Sequence, residues 1–362
     1  MENLLMYPFN KSFMPYVRHQ DMLNDMHITS LISPNGWGLV GDKINTPCGD
    51  IIVSDDFDYA LESCTCVWFI EDDIIALPKD ILWTKLRAAI THGKNIVYTR
   101  CRDREEVQEM VALIPSGLDI TPQCIGHNKL LDSKKVLYDI DTPTIFVIGN
   151  AECSDKFEVQ LSLRKQFVNM GYKVSSVSTR WDSAIIGVHP FPEFMWDVRL
   201  SEEDKVYRYN GYIKEIEMME SPEIFIVGIP GGIVPYSRKQ LNHFGITAYE
   251  IAMAIKCDSA VFCSLYSNYL SEYFDEISKL ILSRFEIAID YHHISAYMNC
   301  PDHQRVVDQE YNILTLDSAI VDEKIRALGR NDVFNLLSSG NARIVAEKII
   351  RQFEGYGDID AI

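Results

Sequence analysis

Short apolar runs alternate with amphipathic segments over the first part of the chain. The apolar runs have the length of buried strands, and the amphipathic segments repeat their apolar residues at helical spacing. Strands that alternate with helices predict right-handed crossovers and a parallel sheet. The predicted elements are strands over residues 28–32, 66–70 and 96–99, a helix between the start signal Pro78 and the stop signal Gly93, and a helix over 104–113.

An acidic, turn-rich stretch from 116 to 142 interrupts this alternation, which then resumes with stronger signals. We therefore expect an α/β protein with two doubly wound, mostly parallel sheets: a Rossmann-like domain over residues 1–115, a linker over 116–142 and a second α/β domain over 143–362. In the second domain the predicted strands are 144–148, 173–178, 224–227, 259–263 and 287–289, and the predicted helices are 156–170, 248–256, 269–284 and a pair within 332–353 joined at Ser339-Gly340.

The net charge of the chain limits the classes of molecule that we expect it to bind. The 362 residues include 34 Lys and Arg against 52 Asp and Glu, which leaves a formal net charge of −18. Phosphate backbones and anionic membrane surfaces repel such a chain, so neither nucleic acid nor a membrane is an expected partner. The hydrophobic fraction of 47% is enough to build sizeable cores, which excludes disorder over most of the length.

Targeting signals and cysteines point to one compartment. The first residues lack the basic start and apolar stretch of a signal peptide, and no run approaches the roughly 18 apolar residues of a membrane span. Most of the nine cysteines lie in apolar surroundings. Cys64 and Cys66 lie at the entry to a predicted strand without Cys-x-x-Cys spacing, so we predict buried thiols. We expect a reduced, cytoplasmic protein.

The stretch from 145 to 161 is the most informative about function. A buried strand ends at Gly149, a turn follows, and Lys156 stands at the start of an amphipathic helix. The N–H groups and helix dipole at such a junction bind anionic oxygens, and the lysine adds a positive charge. The loop resembles that of deethiobiotin-synthetase-like NTPases, which implies a P-loop-NTPase-like second domain and ATP or GTP as the candidate cofactor. The candidate ligand-binding residues are Gly149, Asn150, Cys153, Ser154, Lys156, Arg180 and Asp182.

Two departures from that family weaken the prediction of a metal-dependent enzyme. Asp155 stands where the family has glycine, and Phe157 stands where it has the Mg²⁺-binding threonine or serine. A second loop, after the strand 224–227, resembles the family's Mg²⁺-binding strand end, but Gly228 occupies the aspartate position. We predict a degenerate loop without a metal; an ordinary strand-turn-helix with a solvated lysine is the alternative. The second-loop candidates are Gly228, Pro230, Gly231 and Gly232.

Two of these candidates, Arg180 and Cys153, and one further loop residue, His189, have side chains that could take part in binding or catalysis. Arg180 can bind an anion bidentately, with an exposed ion pair as the alternative. His189 lies in an aromatic loop, where a packed or exposed side chain is expected rather than a catalytic one. Cys153 lies in the turn before the helix, where a thiolate contact with a ligand is the alternative to an inert thiol. No nucleophile-elbow motif is present, so the catalytic residues stay unassigned.

The segment from 290 to 303 contains residue types that bind zinc: His292, His293, Cys300 and His303. Adjacent histidines on a strand point to opposite faces, so both cannot readily bind one ion. Cys300 and His303 alone form half a site. The sequence therefore predicts no metal site and leaves the role of these four residues open.

Segments 7–11, 33–38 and 187–195, together with the loop at Gly149, resemble a family of bacterial peptide-maturation-system proteins. Members accompany radical-SAM maturases of ribosomally made, Cys-rich peptides. The resemblance implies an accessory role and a precursor peptide or radical-SAM maturase as partner. The loop over 34–38 is a candidate ligand or partner contact, with a tight turn around a buried Trp37 as the alternative.

Two hypotheses of function follow. The first is an accessory protein of ribosomal-peptide maturation that binds a peptide, a maturase or a nucleotide-like ligand through the degenerate loop. The second is an ATP- or GTP-dependent NTPase or ligase whose metal is held by other carboxylates, namely Glu152, Asp155 or Asp182. Catalysis is the less favoured of the two, and a homo-oligomer is the candidate assembly.

Overall fold

The computed structural model describes residues 1–70, 77–99, 108–109, 112–113, 120–122, 135–237, 241–300 and 313–357. The chain divides into two compact units. Unit 1 comprises Met1–His127 and Asp182–Val188, and unit 2 comprises Asn128–Trp181 and His189–Ile362. Most of the predicted linker, and most of the predicted helix over 104–113, lies outside the described residues.

Unit 1 is an α/β unit, as predicted. Its strands are β1 (Glu2–Tyr7), β2 (Met26–Leu31), β3 (Lys43–Thr46), β4 (Gly49–Ile52), β5 (Cys66–Phe69), β6 (Asn95–Tyr98) and β7 (Ile120–Pro122); its helices are α1 (Met14–Arg18), α2 (Phe57–Ser63) and α3 (Lys79–Thr91). Five strands form a parallel sheet in the order β2-β1-β5-β6-β7, and β3 and β4 form a separate antiparallel hairpin.

The sheet of unit 1 is buried on both faces, as parallel sheets are. Val67 and Phe69 on β5 face one apolar cluster with helices α2 and α3. Trp68 faces the other way, where Phe13 and Tyr16 pack edge to face against its indole. The indole Nε1 donates to the Thr99 hydroxyl at 3.0 Å, which satisfies its buried N–H. Cys64 and Cys66 are buried, as predicted, and burial raises the pKa of both thiols.

Unit 2 carries a six-stranded parallel sheet. Its strands are β8 (Thr144–Gly149), β9 (Val174–Val177), β10 (Ile224–Gly228), β11 (Ser259–Ser264), β12 (Tyr291–Ile294), β13 (Tyr297–Asn299), β14 (Ile313–Thr315) and β15 (Val333–Phe334). Its helices are α4 (Lys156–Asn169), α5 (Glu202–Glu220), α6 (Ile246–Ala254), α7 (Ser271–Phe285), α8 (Ser318–Leu328) and α9 (Asn341–Gly357). The order is β15-β12-β11-β8-β10-β9, and β13 pairs with β14 in a hairpin.

Strand β8 is the centre of this sheet, between β10 and β11. All six of its residues are buried. Phe146 and Ile148 join an apolar cluster with α5, α6 and α7, whereas Ile145 and Val147 join one with α4 and α9. Burial on both faces explains why this strand is a continuous apolar run in the sequence. Among the described helices, none combines the length and apolar character that crossing a bilayer needs.

Two sequence predictions of local structure are wrong. Residues 287–289 are not a strand: Glu286 adopts a left-handed conformation at the end of α7, and the strand begins only at Tyr291. The first of the two C-terminal helices is absent, because Val333–Phe334 pairs with β12 and one helix follows from Asn341. The sequence interpretation also missed β1, although Leu4 to Tyr7 is a buried apolar run.

Helices α5 and α6 enclose a buried carboxyl group, Glu250. Its Oε1 lies 3.5 Å from the Lys205 ammonium, which also lies 3.1 Å from Glu202. Burial is the largest cause that raises the pKa of Glu250, and a hydrogen bond with Glu202 is the second; the pKa rises to about 8. The same hydrogen bond lowers the pKa of Glu202. At neutral pH Glu250 is therefore protonated and donates to Glu202.

We expect Glu250→Gln to become more stable relative to the wild type as the pH rises. A carboxyl whose pKa is higher in the folded protein than in the unfolded chain stabilises the folded state. In the wild type this stabilisation is complete below pH 4.5, the pKa in the unfolded chain, and is lost as the pH rises through about 8. Glutamine keeps a donor without titrating. Urea denaturation at pH 4.5 and pH 8 should show a relative gain of up to about 4 kcal/mol. Glu203→Gln, at an exposed site on α5, is the control and should show no such trend.

Candidate functional site

The loop after β8 lies at the middle of the carboxyl edge of the second sheet. The strands on either side, β10 and β11, end at Gly228 and Ser264, so three loops meet at this edge. Open parallel α/β sheets bind their ligands at such an edge. The order of the strands therefore brings the first and second candidate loops together, as their chemistry requires.

At Gly149 the backbone of the loop lies so close to its neighbours that a side chain does not fit. A Cβ at this position would lie 2.8 Å from the carbonyl oxygen of Cys263 and 2.5 Å from the Ser154 Oγ. The next amide, of Asn150, donates to the Cys263 carbonyl at 2.9 Å. Ser154 is fully buried and donates to the Ala151 carbonyl at 2.8 Å. Only glycine fits at 149, so the predicted tight turn is real.

Asn150 ties the loop to the neighbouring strand and helix. Its Oδ1 accepts from the Leu265 amide at 3.1 Å, and its Nδ2 donates to the Tyr269 hydroxyl at 3.2 Å. The Tyr269 hydroxyl in turn donates to the Leu265 carbonyl at 2.8 Å. Both ends of this buried amide are engaged by the protein, so Asn150 positions the loop.

Asp155 takes over the conformational role of the glycine that it replaces. Its φ is +62°, in the left-handed region that glycine and, among other residues, Asp tolerate. The carboxylate Oδ2 accepts a short hydrogen bond from Ser295 Oγ and lies 3.4 Å from the Nε2 of His293. His293 Nδ1 accepts from the Leu336 amide at 3.0 Å, which leaves the proton on Nε2, facing Asp155. Asp155 is thus a buried anchor.

Lys156 is almost completely buried, which excludes the prediction of a solvated lysine. Its ammonium donates to the carbonyls of Ala151 and Gly231, both at 2.6 Å, and lies 3.7 Å from the carboxylate of Glu152. Gly231 has a φ of +79°, which places its carbonyl in reach of the lysine. The lysine therefore links the first loop to the second.

Backbone N–H groups remain available beside this ammonium. Among the described residues, no hydrogen bond engages the amides of Glu152, Asp155 or Lys156. The last two belong to the start of α4, where the helix dipole is positive. Amides that follow a left-handed residue at a helix start form a concave donor surface for anions. The arrangement can bind an anionic oxygen.

A magnesium ion does not fit the family's usual position. Phe157 is buried there and has no oxygen to offer. At Gly228 a Cβ would lie 2.2 Å from the Gln160 Oε1, so the glutamine amide fills the space that an aspartate would need. That amide is itself engaged: Nε2 donates to the Val177 carbonyl at 2.8 Å and Oε1 accepts from the Thr179 amide at 3.2 Å. Among the described residues, no group of three His, Cys, Asp or Glu could hold a metal.

The second loop packs tightly against the first. A Cβ at Gly232 would lie 2.4 Å from the Asn242 Nδ2, which donates to the Asn150 carbonyl at 2.8 Å. Ile233 donates its amide to the Gly149 carbonyl at 2.9 Å. Pro230 is buried. Close packing therefore requires glycine at 228 and 232, and at 231 the positive φ favours it; the Gly231 carbonyl contacts the lysine directly.

The remaining candidates are distributed over both units. Arg180 is half-buried in unit 2, and its guanidinium lies 5.7 Å from the ring of Phe157. Cys153 is half-buried in the same loop as Lys156. Asp182 belongs to unit 1, where its carboxylate accepts from the Tyr16 hydroxyl at 2.6 Å. His189 is partly buried, with Nε2 2.8 Å from a carboxylate oxygen of Glu220.

The two adjacent histidines point to opposite faces of β12, as expected. His292 Nε2 lies 3.1 Å from Ser278 Oγ. Because the Ser278 hydroxyl donates its own proton to the Phe274 carbonyl, His292 Nε2 must be the donor in this hydrogen bond. Burial lowers the pKa of His292 to about 4, and the ring packs edge to face on Phe274. His292 is a neutral core residue, and His293 belongs to the Asp155 anchor. Cys300 is half-buried, and His303 lies outside the described residues.

The sequence interpretation missed three residues that shape the site: Gln160, Ser295 and Asn242. Gln160 had a signal, because it lies four residues after Lys156 on the same face of α4. Ser295 and Asn242 are remote in sequence from the loop and gave none. Their roles depend on tertiary contacts alone.

Comparison with known proteins shows the fold. No protein-family model and no curated protein matches the sequence. The crystal structure of a DUF1611-family protein from Anabaena variabilis matches 97% of this chain and all of its own, with a TM-score of 0.65 and 11% identity. At that identity the likeness concerns the fold alone, and it extends over both units.

Two nucleotide-binding proteins overlap with part of the chain. One, from Archaeoglobus fulgidus in complex with ADP, matches 60% of this chain and 92% of its own, with a TM-score of 0.31 and 12% identity. The other is a cobyrinic acid a,c-diamide synthase from Mycobacterium smegmatis with bound ADP and magnesium. It matches 59% of this chain and 96% of its own, with a TM-score of 0.34 and 10% identity. TM-scores this low carry no argument about this chain.

We expect Gly228→Ala to destabilise unit 2 through Gln160. The added methyl displaces a buried amide from two hydrogen bonds, which should lower the free energy of unfolding by about 1–3 kcal/mol. Gln160→Ala already lacks those bonds and leaves room for the methyl. Adding Gly228→Ala to Gln160→Ala should therefore change stability by less than about 0.5 kcal/mol. A double-mutant cycle by chemical denaturation measures this coupling, and simple additivity would contradict the steric argument.

Proposed function

We propose that unit 2 binds a phosphate-bearing ligand of the nucleotide class at the loop after β8, and that it does so without a divalent cation. The observation that carries this proposal is the pairing of a buried ammonium, on Lys156, with unengaged amides at the start of α4. A buried positive charge beside open N–H donors favours an anion. Mg²⁺ independence rests on Phe157 and on Gln160, whose amide occupies the space beside Gly228.

Binding requires an exchange of partners at the lysine. In the structure the ammonium donates to two carbonyl oxygens, and a phosphate oxygen would replace at least one of them. A charge-assisted hydrogen bond to an anion is roughly twice as strong as one to a neutral carbonyl, so the exchange is favourable once the phosphate is desolvated. Glu152 opposes it, because its carboxylate lies 3.7 Å from the same ammonium.

Hydrolysis is the less favoured function, because the carboxylates that it would need are occupied. Asp155 accepts from Ser295 and faces His293, and Asp182 accepts from Tyr16. Glu152 is the remaining candidate, with about half of its side chain exposed. A single monodentate carboxylate is a poor site for Mg²⁺ unless the ligand's own phosphates complete the shell. We therefore propose a binding protein in preference to an ATP- or GTP-dependent NTPase or ligase.

In the cell we propose an accessory role in the maturation of ribosomally made peptides, with a precursor peptide or a radical-SAM maturase as partner. This part rests on the resemblance of segments 7–11, 33–38 and 187–195 to peptide-maturation-system proteins. Co-purification of the chain with a precursor peptide or maturase encoded beside it tests the role. A reconstituted system in which neither binds would contradict it.

We expect Lys156→Met to weaken the binding of ATP and GTP at least about tenfold. Isothermal titration of the full chain with each nucleotide, in EDTA and then in Mg²⁺, measures the affinity. Wild-type affinities in the two buffers should agree within about threefold. The control is Lys173→Met, which removes the same charge at the amino end of β9, the opposite edge of the sheet. No binding by the wild type would contradict the proposal. Mg²⁺-dependent binding with phosphate release would establish the enzyme instead.

Glu152→Gln should have the opposite effect and tighten nucleotide binding. It removes a carboxylate beside the ammonium, at a half-exposed position where the fold does not depend on it. We expect a gain of about two- to fivefold at low salt, shrinking as salt screens the charge. The same titrations at about 50 mM and about 300 mM salt, below and above physiological ionic strength, measure this gain in affinity. An unchanged affinity would place the bound phosphate away from Lys156.

A further inference from the structure

Helix α6 and the turn before it present an apolar surface to solvent. From 241 to 253, every exposed side chain that the structure describes is apolar, and we call these five residues the α6 face. They are Leu241, Phe244, Ile246, Tyr249 and Met253, exposed by 41%, 57%, 49%, 52% and 51%. Exposed apolar residues that occur singly are ordinary, but a contiguous set on one helix face marks an interaction surface.

The core does not need these side chains. The opposite side of α6 already packs into unit 2 through Ala248, Ile251 and Ala254. The polar residues of α6, Thr247 and Glu250, are buried as well, so its apolar residues extend around the rest of the helix, and such a helix is normally buried on all sides. The chain itself covers one side of α6, which leaves the α6 face for another molecule.

The α6 face is held in one conformation before any partner binds. Gly245, between Phe244 and Ile246, has a φ of +76°, and a Cβ there would lie 2.1 Å from the Ile233 carbonyl oxygen. Asn242 Nδ2 donates to the carbonyls of Val234 and Asn150 at 3.0 and 2.8 Å. Preorganisation of this kind reduces the entropy lost on association.

We propose that the α6 face is the centre of a two-fold interface with a second copy of this chain. Five large side chains, each about half exposed, present on the order of 500 Å². A standard homodimer interface buries about 800 Å² per partner, of which about 65% is apolar, or roughly 500 Å². The face therefore has the apolar area of one dimer core. A two-fold axis places the same patch on both copies, so it is complementary to itself in polarity.

The α6 face is uncharged, so an apolar surface such as a second copy of the same face fits it better than a basic partner does. No exposed side chain of the α6 face carries a charge that could select a cationic peptide. Two chains of −18 each repel at long range, and salt screens that repulsion while leaving the apolar contact intact. The dimer should therefore strengthen as salt rises, whereas a complex with a basic partner would weaken.

Sedimentation equilibrium of the full-length chain tests the proposal. We expect the wild type to approach twice the 41.5 kDa of one chain at micromolar concentration, with a dissociation constant that falls as salt rises from 50 to 300 mM. Tyr249→Glu combined with Met253→Glu places four carboxylates across the axis and should leave a monomer. Met253→Ala, the milder change, should weaken the dimer about tenfold.

The matched control is Met218→Glu with Met219→Glu, two exposed methionines on α5 of the same unit. It adds the same charge and should keep the dimer. Circular dichroism of each variant verifies that it folds. A wild type that stays monomeric up to about 0.1 mM, far above the dissociation constants of stable dimers, would overturn the proposal. So would a dimer that survives both Tyr249→Glu with Met253→Glu and Met253→Ala.

Discussion

The buried ammonium of Lys156 is the contact on which the carboxyl edge of the second sheet depends. It joins the loop after β8 to the loop after β10 through one carbonyl from each. A charge this deeply buried is stable only when its donors are satisfied, so the positions of Ala151 and Gly231 are fixed with respect to it. Gly149, Asn150 and the turn at Asn242 then pack around the two loops. The contacts of this lysine thus fix both loops, and an anion that bound the ammonium would have to displace at least one of the two carbonyls.

Around that centre, the side chains of the loop contact other parts of the protein. Asp155 adopts a left-handed conformation, and its carboxylate contacts Ser295 and His293. Phe157 fills a hydrophobic position beneath Arg180. Phe157 has no oxygen to offer a hard cation, and the carboxylate of Asp155 already contacts two side chains.

Sequence patterns predicted the two mostly parallel sheets and the helix that begins at Lys156, but not the tertiary contacts of the loop. Buried parallel strands such as β8 are continuous apolar runs, and the helix start at Lys156 follows directly from the loop, so both could be predicted from local residues. The short strand β15 could not, because two residues form a strand only where β12 offers a partner. The burial of Lys156 could not be predicted from local residues either. A lysine at a helix start is solvated unless carbonyls from elsewhere in the chain, here that of Gly231, contact it. The contact between Asp182 and Tyr16 joins residues 166 positions apart, so local sequence could not predict it either.

Gly228 and Gln160 constrain how this chain can change over generations. Any larger residue at 228 meets the glutamine amide, and a shorter residue at 160 leaves the Val177 carbonyl and the Thr179 amide without their partner. Either change alone gives a less stable protein, and the cost of a larger residue at 228 depends on which residue stands at 160. The two positions are therefore epistatic. An aspartate at position 228 would meet the Gln160 amide unless residue 160 changed as well.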